Sequence, residues 1–391
     1  MTDRRLSIVM LSALLSHGGG RETWLNNVLP KLVTDGRFGH IDVYYAADAS
    51  TDVHEKLSVF RHTAVNFIET RLPAGPGKLV SLRRIVIFCS HVTRRLLRVP
   101  AEGHVVVAVG TFYEAAVMRL VRILSWRAPL LVVWIRGVLS KEINHRHGQG
   151  IKRLICASER WFMHGADRII ANGQDTKAFY EDALGRHVEA IPNALDLDKY
   201  TRLRQQAFRT ERVVIAYIGR LSEEKGLRDF AGAVRHYVAG GGCAQLQFDI
   251  VGDGPLREVA AQLAAECASH VTFRGPLANE AMLAYLETTD AGVCLTYSKE
   301  SGGGGVSNGL LELMGARRLV IAWDSPIYKQ VLDQEQALYV EEGDVAALAA
   351  AFAAALSRRP DMVGRIEASG SALRHYSLEH HVSHFIDYVQ H

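Results

Sequence analysis

The chain has 391 residues, 48% hydrophobic and 22% charged, with a formal net charge of +3 at pH 7. That length sets a prior of two or three domains, each large enough for its own core, and the balance excludes a disordered or fibrous chain. Five cysteines, odd in number and never in C-x-x-C spacing, argue against a disulfide framework or a zinc site and for a reducing, cytoplasmic setting.

Arg4 and Arg5 followed by the apolar run 8–15 superficially resemble a secretion signal. No A-x-A-like cleavage site follows, and Ser7 and Ser12 interrupt the apolar character, so a buried first strand is expected. A glycine turn, His17-Gly18-Gly19-Gly20, then leads into a helical pattern over 23–32. Short apolar runs rich in Val and Ile fall at 41–45, 105–109, 130–135 and 168–171. Several are apolar on both faces, the mark of parallel strands covered on two sides. The stretch 71–98 is basic and amphipathic: Arg71, Lys78, Arg83, Arg84, Arg94, Arg95 and Arg98 occur with no acidic residue among them. It suits an anionic membrane surface, at which the chain would sit peripherally on the inner face of the plasma membrane, or a plain solvated helix face. No apolar run approaches the roughly 20 residues that span a bilayer. Residues 1–190 carry 26 Lys+Arg against 17 Asp+Glu, and residues 191–391 carry 19 against 25, so the halves are expected to meet different partners.

Pro192-Asn193 and the polar stretch after it mark a boundary. The expected division is a first domain over 1–190, a linker over 191–212 and a second domain over 213–375. A terminal helix over 376–391, with Tyr376, Phe385 and Tyr388 as anchors, is expected to pack back on the first domain. In the second domain, strands at 213–218, 246–251, 271–273, 292–295 and 319–322 alternate with helices at 226–237, 256–267 and 280–288, and the alanine-rich 345–356 reads as a core helix. Alternation twice over implies two doubly wound α/β domains, which bind ligands at the carboxyl ends of their strands.

The chemistry concentrates at such ends. Arg220 follows a strand-ending Gly219, and Lys225 sits just before the next helix. Two cations at one strand–helix mouth suit a diphosphate, Arg as a fork and Lys as a point charge. Gly252-Asp253-Gly254 lacks the third glycine of a dinucleotide fingerprint, where Arg257 stands, and a tight turn explains it equally well. Four glycines, 302–305, open an apolar segment that holds Glu312. Backbone N–H groups there can converge on a phosphate, the helix N-terminus adds partial positive charge, and a carboxylate one turn in can bind a sugar hydroxyl. The same stretch contains Gly305-Val306-Ser307-Asn308-Gly309, which fits the G-x-S-x-G elbow of serine hydrolases. His17-Gly18-Gly19-Gly20 imitates their oxyanion motif, and Asp324 or Asp344, then His375 or His380, follow in the right chain order. The elbow needs a strand running straight into the serine, and here a glycine run intervenes. Ser307 is therefore expected as a helix cap.

The ordered set Ile191-Pro192-Asn193-Ala194-Leu195-Asp196, GRLSEEKGL (219–227), VGDGP (251–255), VTFRGPL (271–277) and LLELMG (310–315) resembles the family-4 retaining glycosyltransferases of the GT-B fold. The resemblance covers most of 165–345, and the turn at 18–20 also matches. It implies two Rossmann-like domains facing an interdomain cleft. It also implies transfer of a hexosyl group, with retention, from a UDP- or GDP-sugar to a glycan or lipid-linked acceptor in cell-surface polysaccharide synthesis. By the same resemblance Arg220 and Lys225 neutralise the diphosphate leaving group and Glu312 binds the ribose. The backbone of Arg274, Gly275 and Leu277 contacts the base. Gly219, Gly304, Gly305, Ser307 and Asn308 line the donor phosphate and sugar, and Gly19 and Gly20 let the first domain approach them. Neither a bound metal nor another cofactor is implied, and no nucleic acid. Asp196-Leu197-Asp198 resembles a metal-binding D-x-D but falls in the linker.

Two departures matter. The family pairs glutamates eight positions apart, yet Gly304 stands eight before Glu312, so Glu300 takes the catalytic first-glutamate role only if the glycine run bulges. The family also has His-Asp or similar after a central strand of the first domain, where this chain has Arg136-Gly137. Arg136, Glu142 and His145 are the acceptor-side candidates, with His147 beside them. A non-catalytic nucleotide-sugar-binding partner and a GT-B epimerase are the alternative functions.

Overall fold

The structure, a computed structural model, describes residues 4–12, 14, 20–48, 62–75, 78–142, 149–203, 208, 211–298 and 305–390. The chain divides into two units, Met1–Asn193 with Leu378–His391, and Ala194–Ser377.

The first unit holds seven parallel strands: β1 (Arg5–Val9), β2 (His40–Asp48), β3 (Val65–Leu72), β4 (His104–Val109), β5 (Leu130–Ile135), β6 (Arg168–Ala171) and β7 (Glu189–Ala190). Their order is β3-β2-β1-β4-β5-β6-β7, so the direction of winding reverses between β1 and β4. All six residues of β4 are buried, as an apolar run covered by helices on both faces should be. The first strand stops at Val9, short of the apolar run 8–15. Beyond it the Leu11 N–H donates to the Glu114 carboxylate at 2.9 Å, and Ser12 donates to Glu22. Backbone bonds to β2 still run from the Met10 N–H to the Tyr44 carbonyl and from the Ala46 N–H to the Ser12 carbonyl, so side-chain partners supplement the ladder there. Strand β3 gave no apolar signal because it alternates with Asn66, Glu69 and Arg71 at the sheet edge.

The terminal helix Leu378–Gln390 is part of the first unit. Its His381 donates from Nδ1 to the Pro192 carbonyl at 2.7 Å, accepts at Nε2 from the Trp24 indole at 2.9 Å, and stacks on Trp134 with centroids 5.3 Å apart. Those two bonds require a neutral ring, and burial pushes its pKa down to about 3. Phe385 stacks on the same Trp134 at 5.2 Å. Tyr376 is not in this helix. It lies in the 3-10 turn Leu373–Tyr376 of the second unit, donating to the Gln330 carbonyl at 3.3 Å.

The second unit holds six parallel strands: β8 (Val213–Ile218), β9 (Leu246–Val251), β10 (Val271–Gly275), β11 (Ala291–Cys294), β12 (Leu319–Trp323) and β13 (Leu338–Val340). Their order, β10-β9-β8-β11-β12-β13, repeats the winding of the first sheet and reverses between β8 and β11. Phe230, Phe248 and Phe352 form an aromatic centre with ring centroids 5.1–6.1 Å apart.

At the carboxyl edge of this sheet the strand-ending loops stack on one another. The Gly219 N–H donates to the Val251 carbonyl and the Gly252 N–H to the Gly275 carbonyl. Gly252 has φ +141, and a Cβ there would lie 1.8 Å from the Gly219 carbonyl oxygen. Gly252→Ala is expected to cost roughly 3 kcal/mol or more, from backbone strain plus displacement of the neighbouring loop. Urea unfolding followed by tryptophan fluorescence checks this, and an unshifted midpoint would show that the loops are not packed this tightly.

Candidate functional site

A ligand of a doubly wound sheet sits outside the strand ends where winding reverses. In the second unit that place lies between the ends of β8 and β11. The loop after β8 begins at Gly219 and runs through the 3-10 turn Glu223–Lys225. The Tyr217 hydroxyl donates between the Arg220 carbonyl at 2.9 Å and the Lys225 carbonyl at 3.2 Å, gathering both ends of the loop. Gly226 closes the turn at φ +68, and a Cβ there would meet the Leu295 carbonyl oxygen at 2.6 Å. The β8 loop therefore lies directly on the β11 loop.

Lys225 joins the two. Its Nζ donates to Thr296 Oγ1 at 3.1 Å, immediately beyond β11. Burial pushes the ammonium pKa down, against the pull of Glu224. Arg220 is exposed, and among the described residues no carboxylate pairs with it. One cation is thus held dry and the other free to reach, a pairing that would compensate an anion with several oxygens.

The helix Asn308–Gly315 brings its N-terminus to the same edge, since a Cβ on Gly309 would lie 3.9 Å from the Ile218 carbonyl at the end of β8. Ser307 occupies the N-cap position with extended backbone, where the sequence placed it, although its side chain makes no capping hydrogen bond. Asn308 opens the helix, and Gly305 and Val306 just before it are buried. Glu312 is partly buried one turn in, and burial alone lifts its pKa to about 7. Tyr200 is its neighbour: burial first, then the Glu312 charge, pushes the tyrosine pKa up. The helix packs closely there, with a Cβ on Gly315 falling 2.4 Å from Leu195 and 3.0 Å from Tyr200.

The hydrolase reading fails on this geometry. β11 ends at Cys294, well before Ser307. Asp324 is paired with Lys329 at 2.5 Å, and Asp344 caps the helix Val345–Ser357 by accepting from the Ala347 N–H at 2.8 Å.

At the end of β10, the Arg274 side chain is committed to the protein. Its Nε donates to buried Asp249 at 2.7 Å, where the Tyr285 hydroxyl donates at 3.0 Å, and its guanidinium lies 5.3 Å from the Tyr285 ring centroid. The backbone of Arg274, Gly275 and partly buried Leu277 forms the rest of this loop. Asp249, Tyr285 and Tyr200 were not singled out from sequence, because each acts through a partner distant in the chain, and Tyr217 was not because its loop partners are backbone carbonyls that carry no sequence signal.

In the first unit Arg136 follows β5. One Nη donates to Asn193 Oδ1 at 2.9 Å and to the Gly20 carbonyl at 3.4 Å, and the guanidinium lies 5.6 Å from the Trp24 ring centroid. Its other Nη is buried and has no hydrogen-bond partner among the described residues. Burial, then the charge of Arg21, brings its pKa down to about 10, so it stays a cation. It cannot supply a histidine's acid–base chemistry near neutral pH. Glu142 ends the short helix Leu139–Glu142. Gly19, His145, His147, Glu300 and Gly304 lie outside the described residues.

Residues 212–358 match the family described as glycosyl transferases group 1. The match is confined to that stretch, less than half of the chain. The matched stretch contains Arg220, Lys225, Arg274, Ser307 and Glu312, whereas Arg136 and Gly20 lie outside it. The chain is 29% identical over 252 residues to a 2-deoxystreptamine N-acetyl-D-glucosaminyltransferase of Streptomyces fradiae, covering 58% of this chain and 59% of that protein. It is 28% identical over 167 residues to a 2-deoxystreptamine glucosyltransferase of Streptomyces kanamyceticus, covering 39% of this chain and 43% of that one. The matched region thus spans less than two thirds of either curated relative. A crystal structure of Anabaena Alr3699/HepE in complex with UDP and glucose superposes with a TM-score of 0.71 at 15% identity, over 98% of both chains. At that identity the likeness is one of fold, and the fold is GT-B.

Proposed function

We propose that the chain is a retaining hexosyltransferase that uses a UDP- or GDP-sugar donor. The observation that carries the reading is Lys225, bonded to Thr296 across the β8/β11 reversal, with Arg220 on the same loop and Glu312 on the helix at the same edge. Cleaving the sugar–phosphate bond through an oxocarbenium-like state places negative charge on the diphosphate. Lys225, already fixed there, lowers the barrier without reorganisation, and Arg220 can close on the same charge. Glu312 accepts hydrogen bonds from ribose hydroxyls. The backbone of the β10 loop meets the base, and the N-terminus of the helix Asn308–Gly315, with Gly305, faces phosphate and sugar. Glu300 takes the first-glutamate function on the donor sugar if the glycine run 302–305 bulges.

Because Arg220 and Lys225 balance the leaving-group charge, transfer is expected to persist unchanged in excess EDTA, and loss of turnover restored by a divalent cation would reject the metal-free reading. The acceptor is a glycan or lipid-linked saccharide at an anionic membrane surface, met by the side that carries Arg136, Glu142 and His145. A second acceptor class, a small aminocyclitol, is favoured by the names of the two Streptomyces relatives. Thermal-shift measurements with UDP- and GDP-sugars test the donor. The matching sugar raises the melting temperature by mass action, by about 2.7 kcal/mol of stabilisation at a hundredfold excess over Kd. A flat response to both families removes the reading. Product analysis then separates transfer, seen as a new glycoside with the donor's anomeric configuration, from epimerisation, seen as free isomerised sugar, and from binding without turnover.

A further inference from the structure

We infer that one helical layer of the first unit is a docking face for an anionic lipid surface. The inference rests on the membrane-facing acceptor reading and deepens it by naming the surface. The layer comprises the helices Lys78–Leu96, Tyr113–Leu124 and Gln149–Met163, which follow β3, β4 and β5. Right-handed crossovers from β3 to β4, β4 to β5 and β5 to β6 put all three on one face of the sheet. They pack side by side, with Phe112 and Phe162 rings 5.3 Å apart and Arg119 4.8 Å from the Trp161 ring centroid.

Three observations converge on this layer. The first is exposed apolar surface. Ten of the twelve large hydrophobic side chains exposed among the described residues lie between Leu82 and Trp161, on these helices or the turns that follow them. Trp126 stands fully in solvent, and Leu154, Leu124, Ile123, Leu82 and Val86 are each more than half exposed. Scattered single hydrophobics are normal on a surface, but a concentration of this kind marks an interaction site.

The second is the sign of the charge. The three helices carry ten lysines and arginines, of which Arg122 is paired with Asp167 beyond the third helix, and their only acids, Glu114 and Glu159, are each 3% exposed. Glu114 turns inward to Arg21 and the Leu11 N–H, and Glu159 accepts from the Tyr180 hydroxyl. A merely solvated face carries both signs. Here no acidic side chain of the three helices faces outward, and Arg98 and Arg127 extend the positive field in the turns beyond.

The third is the kind of apolar residue. Tryptophan beside arginine and leucine is the composition of surfaces that lie at the headgroup–acyl boundary, where indoles and long basic stems are both apolar and polar. Among the described residues no helix is long and apolar enough to cross a membrane, so the contact is lateral. Positive charge and exposed indole together select an anionic bilayer over an acidic protein, whose contact face would bury the indole in a matching pocket. The basic stretch 71–98 is one rim of this face, and its centre lies on the two later helices, where the sequence showed no charge run.

Co-sedimentation of the full chain with vesicles tests this. Wild type is expected to bind vesicles containing phosphatidylglycerol, to ignore pure phosphatidylcholine, and to be released by 0.5 M salt, each arginine near the surface being worth roughly fivefold in partitioning. Trp126→Ala with Leu154→Ser is expected to weaken binding at least tenfold, and Arg94→Glu with Arg95→Glu and Arg98→Glu at least a hundredfold. Both variants should retain the wild-type melting temperature and its shift with donor sugar, which separates docking from folding and from donor binding. Absence of wild-type binding to anionic vesicles at low salt overturns the inference, as does equal binding by the folded variants. If the vesicle results hold and no donor sugar shifts the melting temperature, the docking face stands and the transferase reading falls.

Discussion

Lys225→Ala is expected to lower sugar transfer by roughly 10²–10³-fold, the usual consequence of removing one fixed donor from a developing negative charge in a water-poor site. The physical reason is the position of the cation. Its Nζ is bonded to Thr296 between the ends of β8 and β11, where burial already works against its charge. A diphosphate placed there would supply the missing counter-charge, and the interaction would strengthen as the sugar–phosphate bond breaks. The variant should fold, since it removes a desolvated cation and leaves behind a hydroxyl that can find another partner. Arg220→Ala should fall by a comparable factor, and the double variant by less than the product, because both residues act on one leaving group. Single-turnover kinetics with the donor identified by thermal shift would read kcat apart from binding. Wild-type turnover by a folded Lys225→Ala protein would sink the leaving-group assignment.

Glu312→Gln should change two pH profiles in opposite senses. Burial in the folded chain lifts the Glu312 carboxyl from 4.5 to about 7. Between those values the folded state holds a proton that the unfolded state has released, so stability falls as pH rises through the window and the whole cost is present above pH 7. Glutamine carries no such cost. The variant is expected to be more stable than wild type at pH 8 by at most about 3 kcal/mol, at 1.36 kcal/mol per pKa unit, with the gap closing near pH 4.5. Donor binding runs the other way. Ribose hydroxyls bond best to the ionised carboxylate, so wild-type affinity should weaken as pH drops below about 7, while the variant binds roughly tenfold more weakly at pH 8 and without that dependence. Denaturation midpoints and calorimetric titration at pH 8 and pH 5 measure both. A variant less stable than wild type at pH 8, with undiminished donor affinity, would assign Glu312 to structure instead. A residue that weakens the empty protein in order to hold a ligand is the ordinary compromise of a binding site.

Several elements of the second unit were legible because their signals are local. Strands such as β8 and β9 are short apolar runs, and Gly219-Arg220 and Gly252-Asp253-Gly254 punctuate their ends. The edge strands β3, β7 and β13 were not legible. The first alternates with charge and the others are two and three residues long, so their pairing is decided by the neighbouring strand and not by composition. Serine at 307 was legible as the start of a helix, but not that its hydroxyl leaves the helix end uncapped.

The sequence by itself determined the doubly wound α/β character of the chain and the order of its glycine turns, because hydrophobic period and turn chemistry are written within a few residues. It also determined that Arg220, Lys225 and Glu312 fall near strand ends. Only the tertiary structure decided what those residues meet. Thr296 beneath Lys225 and Tyr200 beside Glu312 are brought in by winding and helix packing, and the path of the β8 loop decides that the Tyr217 hydroxyl meets two of its carbonyls. The same holds for Asp249, which binds Arg274 through Nε, and for Glu114 and Glu159, turned inward to leave the outward charges of one helical layer basic. Burial and distance, which set each pKa and each partner, are properties of the folded sheet and have no counterpart in local sequence.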